Sequence, residues 1–239
     1  MNLDESILSI APNVSIQCGQ AGLEGEPYIQ VDNFIEGAER LKAYAVEHGA
    51  FAPADSYYPG IRAAVPLIYT VALAKNLSGY ISRYFGFHPR HVKKAVSTFS
   101  IVTQAPESLS LYQRLPHFDA PSRLSLAAIH YLGADEGGGT ALYRHRNTGF
   151  EYVDAERYQP YMAAIHQQFA DPQGYPPGYI HGDTDAFTQI HAFAARFNRL
   201  VLYRGSSLHS GVLPQDYSFD PDPATGRLTV TTFIEFSGT

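Results

Sequence analysis

The chain has very little cysteine: Cys18 is the only one in 239 residues. No disulfide can form within it, and a reducing, cytoplasmic setting is expected. Long apolar runs are also missing. None approaches the roughly 18 residues that a helix needs to cross a bilayer, so no membrane role is expected. Residues 1–10 carry acids in place of a basic start followed by an apolar stretch, and they do not read as a secretory signal. Nor is there a block of like charge. Lys and Arg number 17 against 23 Asp and Glu, for a net charge of −6. A phosphate backbone calls for a basic groove, so nucleic acid is not an expected partner. Tryptophan is absent, yet there are 17 Tyr and 14 Phe. These residues favour strands, and a buried Tyr carries a polar tip, which suits a β-rich core with a polar-tipped lining. There is no internal repeat and no low-complexity tract.

The length fits one large domain, 1–239, with a substantial core. Residues 1–26 read as an irregular leader and 27–31 as a short strand. Asp32 or Asn33 is placed to cap a helix on which Phe34, Ala38, Leu41 and Ala45 form one face. Residues 51–66 read as loop, and 69–85 as a second helix stopped by Gly86. This makes 27–92 an N-terminal helical support. From Lys94 the period changes to that of strands: 95–102, 113–119, 124–132, 140–144, 199–203, 208–213 and 227–236. Residues 153–169 and 185–197 read as helices, and 216–225 as a Pro- and Asp-rich loop. The expected architecture is mainly β with flanking α. Its core, 93–236, is a jelly roll with the N-terminal helices packed outside.

Within that core, His117 and Asp119 stand one residue apart. On an extended strand, residues i and i+2 share a face, so an imidazole and a carboxylate are aimed at one point. His209, in Ser207-Leu208-His209-Ser210-Gly211, is the candidate third donor. Two His and one carboxylate that leave positions open suit non-haem Fe(II) and O₂ chemistry. A His-x-Asp pair carries little weight alone, and His181-Gly182-Asp183 also matches. That second match follows Pro176-Pro177-Gly178 in turn-forming sequence and reads as a polar loop, with Asp183 capping a helix. Arg227 and Thr229 share a strand face, so a guanidinium and a hydroxyl can meet one carboxylate.

His117-Phe118-Asp119, His209 and Arg227-Leu228-Thr229 together resemble the His-x-Asp…His…Arg-x-Ser/Thr signature of 2-oxoglutarate- and Fe(II)-dependent dioxygenases, in the prolyl-hydroxylase-like branch. Tyr131-Leu132 followed by Gly137-Gly138-Gly139-Thr140-Ala141-Leu142 resembles the Gly-Gly segment there, and Val31-Asp32-Asn33-Phe34-Ile35 resembles the branch's opening. His130-Tyr131-Leu132, Tyr143-Arg144-His145-Arg146 and Phe197-Asn198-Arg199-Leu200 are similar to a bacterial subgroup of these oxygenases. The resemblance covers residues 27–236. It implies a double-stranded β-helix, Fe(II) on His117, Asp119 and His209, and 2-oxoglutarate as cosubstrate with O₂. Ascorbate is the implied reductant, and the product would be a hydroxylated small molecule or a hydroxylated peptidyl or amino-acid side chain. Arg227, helped by Thr229 and Tyr131, would hold the cosubstrate's far carboxylate. Arg227 stands 18 positions after His209, a longer gap than is usual in the family, and loop 216–225 houses the excess. Arg204 is the next candidate for that role. Gln104, Tyr112, Arg144 and Arg146 are candidates for the mouth, while His130, His145, His166 and His191 read as structural or surface residues.

Two other classes fit the same residues. A jelly roll that keeps its metal ligands can serve only as a binding or regulatory module. Zn²⁺ with a hydrolytic water would need a nearby general base.

Overall fold

The computed structural model describes residues 3–54, 57–133 and 138–238. Met1, Asn2, Asp55, Ser56 and Gly137, which belong to the expected leader, loop and glycine run, lie outside them. In chain order the elements are β1 (Ser15–Ala21), β2 (Glu26–Asp32), α1 (Ala38–His48), β3 (Ala52–Pro53), β4 (Gly60–Ala64), α2 (Leu67–Phe85), β5 (Val92–Val102) and α3 (Leu111–Arg114). They continue with β6 (Ser125–Tyr131), β7 (Gly139–His145), α4 (Tyr158–Gln168), β8 (Phe187–Ala194), β9 (Leu200–Arg204), β10 (His209–Val212) and β11 (Thr229–Phe236).

The strands form two antiparallel sheets. The large one runs β1-β2-β9-β6-β11-β5-β4-β3, and the small one runs β10-β7-β8. A bridge between His117 and His209 adds the segment before β6 to the β10 edge of the small sheet. From β5 onward the chain alternates between sheets: β5 large, the His117 segment small, β6 large, β7 and β8 small, β9 large, β10 small, β11 large. That alternation is the double-stranded β-helix, a jelly roll.

Successive side chains on a strand point to opposite faces, so the large sheet has two different coats. Its outer face carries Leu126, Ala128, Leu200, Leu202, Val230, Ile234, Phe99 and Ile101. Against them pack Ala38, Leu41 and Ala45 of α1 and Leu73, Leu77 and Ile81 of α2. Burying each of the larger aliphatic side chains stabilises by about 1.5–3 kcal/mol. Gly86 ends α2 in the left-handed conformation, φ 75°. The inner face carries Ala127, Tyr131, Val201 and Tyr203, which meet Leu142 and Phe193 of the small sheet.

The structure departs from the sequence expectations in six places. The leader contains β1, paired residue for residue with β2 from Ser15–Asp32 to Ala21–Glu26. The stretch 51–66 contains β3 and β4, and β4 lies beside β5. Residues 113–114 are helical rather than strand. Gln113 Oε1 accepts the Ser110 N–H at 2.8 Å and closes α3, and the chain becomes extended only at Leu115, which Pro116 forces out of the helical region. Helix α4 begins later than 153. Residues 185–197 are not helical. The strand β8 occupies 187–194 because pairing with β7 buries Phe187 and Phe193, overriding local helix propensity. The α1 N-cap is Gly37 rather than Asp32 or Asn33. Asp32 instead accepts two bonds from Arg199.

Candidate functional site

His117 and His209 face each other across the edge of the small sheet. Each donates its N–H to the other's carbonyl at 2.8 Å. Directly opposed residues project to the same face, and the two imidazole centroids stand 4.3 Å apart. Two residues on, Asp119 donates its N–H to the Gly205 carbonyl at 2.7 Å. Gly205 packs closely there: a Cβ would stand 2.9 Å from Ser125 Oγ and 3.3 Å from Asp119 Oδ2 and would press on the carboxylate. Asp119 Oδ1 lies 3.9 Å from His117 Nε2 and 3.7 Å from His209 Nε2. All three donor atoms fall within 4.8 Å of one another. Such a triangle contains a point within about 2.5 Å of every donor, close to the ~2.0–2.2 Å of ordinary metal bonds. The residues therefore fit a shared divalent cation.

Support behind His209 decides which nitrogen faces that point. Its Nδ1 lies 2.8 Å from the Ser207 carbonyl. A carbonyl only accepts, so Nδ1 carries the proton and Nε2 presents its lone pair. The Ser207 hydroxyl donates to Glu26 at 3.1 Å, and Glu26 is held by two bonds from Arg123, 2.7 and 3.0 Å. Tyr203 packs its ring edge on His209, with centroids 4.8 Å apart.

Burial sets the charge states. It pushes His209 down to about 4. His117, 53% of whose side chain opens to the mouth, is lowered by burial and then by His209. Burial raises Asp119 to about 6, against the pull of His117 and Arg62. At neutral pH the pair of imidazoles is neutral and the carboxylate ionised, which are the forms a metal takes.

Beside the triad, one row of side chains crosses the inner face of the large sheet. Arg62 on β4 opposes Ser100 on β5, Ser100 opposes Thr229 on β11, and Thr229 opposes Tyr131 on β6. The Tyr131 hydroxyl pairs with Thr140 Oγ1 at 2.7 Å, and the Thr229 hydroxyl donates to the Ser100 carbonyl at 3.2 Å. Arg227 precedes β11 on the same side. Its Nη2 donates to the Gly139 carbonyl at 2.7 Å, and its guanidinium sits 5.5 Å from the Tyr131 ring centre. Gly139 holds φ at 152°, and a Cβ there would strike the Phe193 carbonyl at 1.9 Å.

The Nε atoms of Arg62 and Arg227, Thr98 Oγ1 and the Tyr203 hydroxyl are buried with no hydrogen-bond partner. Buried polar atoms are normally paired, and an orphan costs about 1–3 kcal/mol. Among the described residues the arginine ion pairs belong to Arg123, Arg144, Arg146, Arg157 and Arg199. Arg62 and Arg227 have none; nor has Arg204, whose buried Nε is likewise without a partner.

His117, Asp119 and His209 thus come together, and Arg227, Thr229 and Tyr131 stand together on the inner face. Arg204 is elsewhere. It donates to the carbonyls of Arg123 and Phe85 and lies over the Phe85 and Phe87 rings. Arg144 is held by Glu151, and Arg146 by Asp183 on the surface. The Tyr112 hydroxyl pairs with His166 at 2.9 Å. Gln104 lines a cleft of about 440 Å³ with Tyr58, Gly60, Thr103 and Gln113. That cleft touches the site through Tyr58 and does not contain the triad. Asp183 caps no helix; it accepts the Gln189 N–H of β8 at 2.8 Å. Sequence reasoning missed Arg62, Tyr58, Tyr203, Glu26 and Ser207. Only Arg62 left a trace, in the alternation Ile61-Arg62-Ala63 between two turn-forming prolines.

The chain belongs to DUF6445, a family of unknown function whose pattern matches residues 12–234. No curated protein matches it. Among solved structures it is similar to the non-heme alpha-ketoglutarate-dependent epimerase SnoN from nogalamycin biosynthesis, at 10% identity and a TM-score of 0.46, over 88% of this chain and 78% of that one. It is also similar to an N-substituted L-amino acid dioxygenase from Burkholderia ambifaria, at 12% identity and a TM-score of 0.39, over 91% and 92% of the chains. A third likeness is to EvdO2 from Micromonospora carbonacea, at 11% identity and a TM-score of 0.42, over 99% and 92%. The fold assignment rests on strand order, and the site on its own geometry. No helix among the described residues is long and apolar enough to cross a membrane.

Proposed function

We propose that the chain is an Fe(II)- and 2-oxoglutarate-dependent dioxygenase of the prolyl-hydroxylase-like kind, hydroxylating a small molecule or an amino-acid side chain. One observation carries this reading: His117, Asp119 and His209 converge, and on the same inner side of the barrel stands Arg227, part-buried, with an unpartnered Nε and no ion pair among the described residues. Bound Fe(II), with 2-oxoglutarate and O₂, would supply an oxidant for an unactivated C–H bond and release succinate and CO₂.

The chain's own residues supply the rest. The Ser207 carbonyl keeps the His209 proton on Nδ1, so Nε2 stays a donor. Arg227, with Thr229 and Tyr131 beside it, offers charge-assisted N–H groups to the cosubstrate's distal carboxylate. Tyr203 and Leu142 close the inner wall and keep water out.

Anaerobic addition of Fe(II) and 2-oxoglutarate should produce a visible charge-transfer absorption, and O₂ should then release succinate. His209→Ala should abolish both. Absorption without succinate under any condition favours a binding module. Activity that follows Zn²⁺ and ignores O₂ favours a hydrolase.

A further inference from the structure

We infer that Arg62 anchors a carboxylate of the primary substrate, and that the substrate is an organic acid with an aromatic or apolar body. This rests on the dioxygenase reading and adds a substrate class to it.

Two guanidiniums lie near Tyr58. Arg62 lies 4.2 Å over the Tyr58 ring, and Tyr58 also feels the charge of Arg227. Both arginines keep a buried Nε without a partner, and neither makes an ion pair among the described residues. A part-buried guanidinium without an ion pair favours an anion of its own. The cosubstrate has one distal carboxylate to offer, because its other end is directed at the metal. Arg227 stands at the Tyr131 end of the inner row and takes that carboxylate. Arg62 stands two strands away, on β4. Strand spacing puts about 10 Å between the two backbones. Of the two, Arg62 is the one whose charge reaches Asp119 and His117. An anion on Arg62 therefore lies next to the open side of the triad, where a substrate must lie.

The walls point to the rest of the molecule. Tyr179 stacks on Phe219 at 5.9 Å, and Tyr217 meets Phe219 edge-on at 4.8 Å. The Tyr179 hydroxyl donates to the Gln104 carbonyl and the Tyr217 hydroxyl to the Val102 carbonyl. With their hydroxyls engaged, these residues offer a ligand ring surface. Phe219 holds φ at 52°, a strained conformation for an aromatic residue. The carbonyl partners of Tyr179 and Tyr217 belong to or adjoin the cleft of Tyr58, Gly60 and Gln104, which sets the three rings beside it, and Tyr217 and Phe219 both come from the extra length between His209 and Arg227.

The test uses the full chain loaded with Mn(II), which does not turn over. Calorimetry measures 2-oxoglutarate binding to wild type, Arg62→Met and Arg227→Met. The expected result is a loss of about tenfold or more for Arg227→Met and less than about threefold for Arg62→Met. Phenylacetate, N-acetyl-L-phenylalanine and hexanoate are then titrated against their primary amides, with and without 2-oxoglutarate. At least one acid should bind about tenfold more tightly than its amide. Arg62→Met should remove that preference and Arg62→Lys should keep part of it; the lysine variant also serves if the methionine variant does not fold. The inference is overturned if no acid is preferred, if the preference survives Arg62→Met, or if Arg62→Met is the variant that loses 2-oxoglutarate. Wild type that fails to bind 2-oxoglutarate at all instead removes the dioxygenase reading, while acid preference is still read on the Mn(II) protein alone.

Discussion

His130 and His209 are both buried histidines of the same barrel, and burial pushes both down to about 4. They do opposite jobs. His130 looks out of the large sheet toward the helices. Its Nε2 lies 3.1 Å from Asn198 Oδ1 and its Nδ1 lies 3.0 Å from the Tyr69 hydroxyl. Asn198 Oδ1 also accepts the Ile35 N–H, so it is an acceptor, and His130 must donate to it through Nε2. Both nitrogens are used, and the ring fastens β6 to α2 and to the segment before β9. His209 has one nitrogen fastened and one open. Burial and a lowered pKa are common to both; the unused lone pair is what separates a candidate ligand from a structural histidine. The same contrast extends over the sheet. Its outer coat is apolar or paired, as in the chain Thr70–Ser97–Thr232, with the Arg204 Nε the exception. Its inner coat keeps orphaned polar atoms on Arg62, Thr98 and Tyr203.

This comparison can be broken by experiment. His209→Ala should weaken metal binding about 100-fold or more while leaving the fold intact, as read by metal titration and circular dichroism. Leu77→Ala, on the outer side, should do the reverse: about 2–5 kcal/mol of stability lost in urea unfolding, with metal affinity unchanged. His130→Ala should cost about 2–3 kcal/mol, because it orphans the Tyr69 hydroxyl and removes one bond to Asn198, again without touching the metal. A metal defect in His130→Ala would show that the two faces are not separate. Glu26→Gln should weaken metal binding by about tenfold through Ser207 and also lower the unfolding midpoint, because Arg123 loses its counter-charge.

The smallest effect concerns pH. The folded pKa of His130 and His209 lies below that of the unfolded chain. Between about pH 6.5 and 4 the unfolded state therefore binds the extra protons, and stability falls as pH falls. Asp119 acts in the opposite sense, because its folded pKa of about 6 lies above its unfolded value. His117, His145 and His191 are lowered as well, so the imidazoles outnumber the one raised carboxylate and the melting temperature of the metal-free protein should drop from pH 7 to pH 4.5. Metal affinity should start to fall near pH 6, where Asp119 takes a proton while His209 stays neutral.

Much of the site was legible in the sequence. His117, Asp119 and His209 were picked out by residue type, strand context and the family resemblance together, and the fold brings the three together; the parity of Arg227 and Thr229 predicted a shared face. Strands β5, β6 and β11 and helix α2 declared themselves through period and β-branched content, which are local properties. Other features depended on partners far along the chain. The strand β1 exists because β2 pairs with it, and β8 exists because β7 outbids a helix-forming stretch. The strand β4 is five residues between prolines, and only its place beside β5 turns Arg62 inward. Side-chain chemistry and short-range periodicity are written in the chain itself. Which orphaned groups share a cavity is settled by strand pairing between distant segments, because that energy is released only when the sheets close.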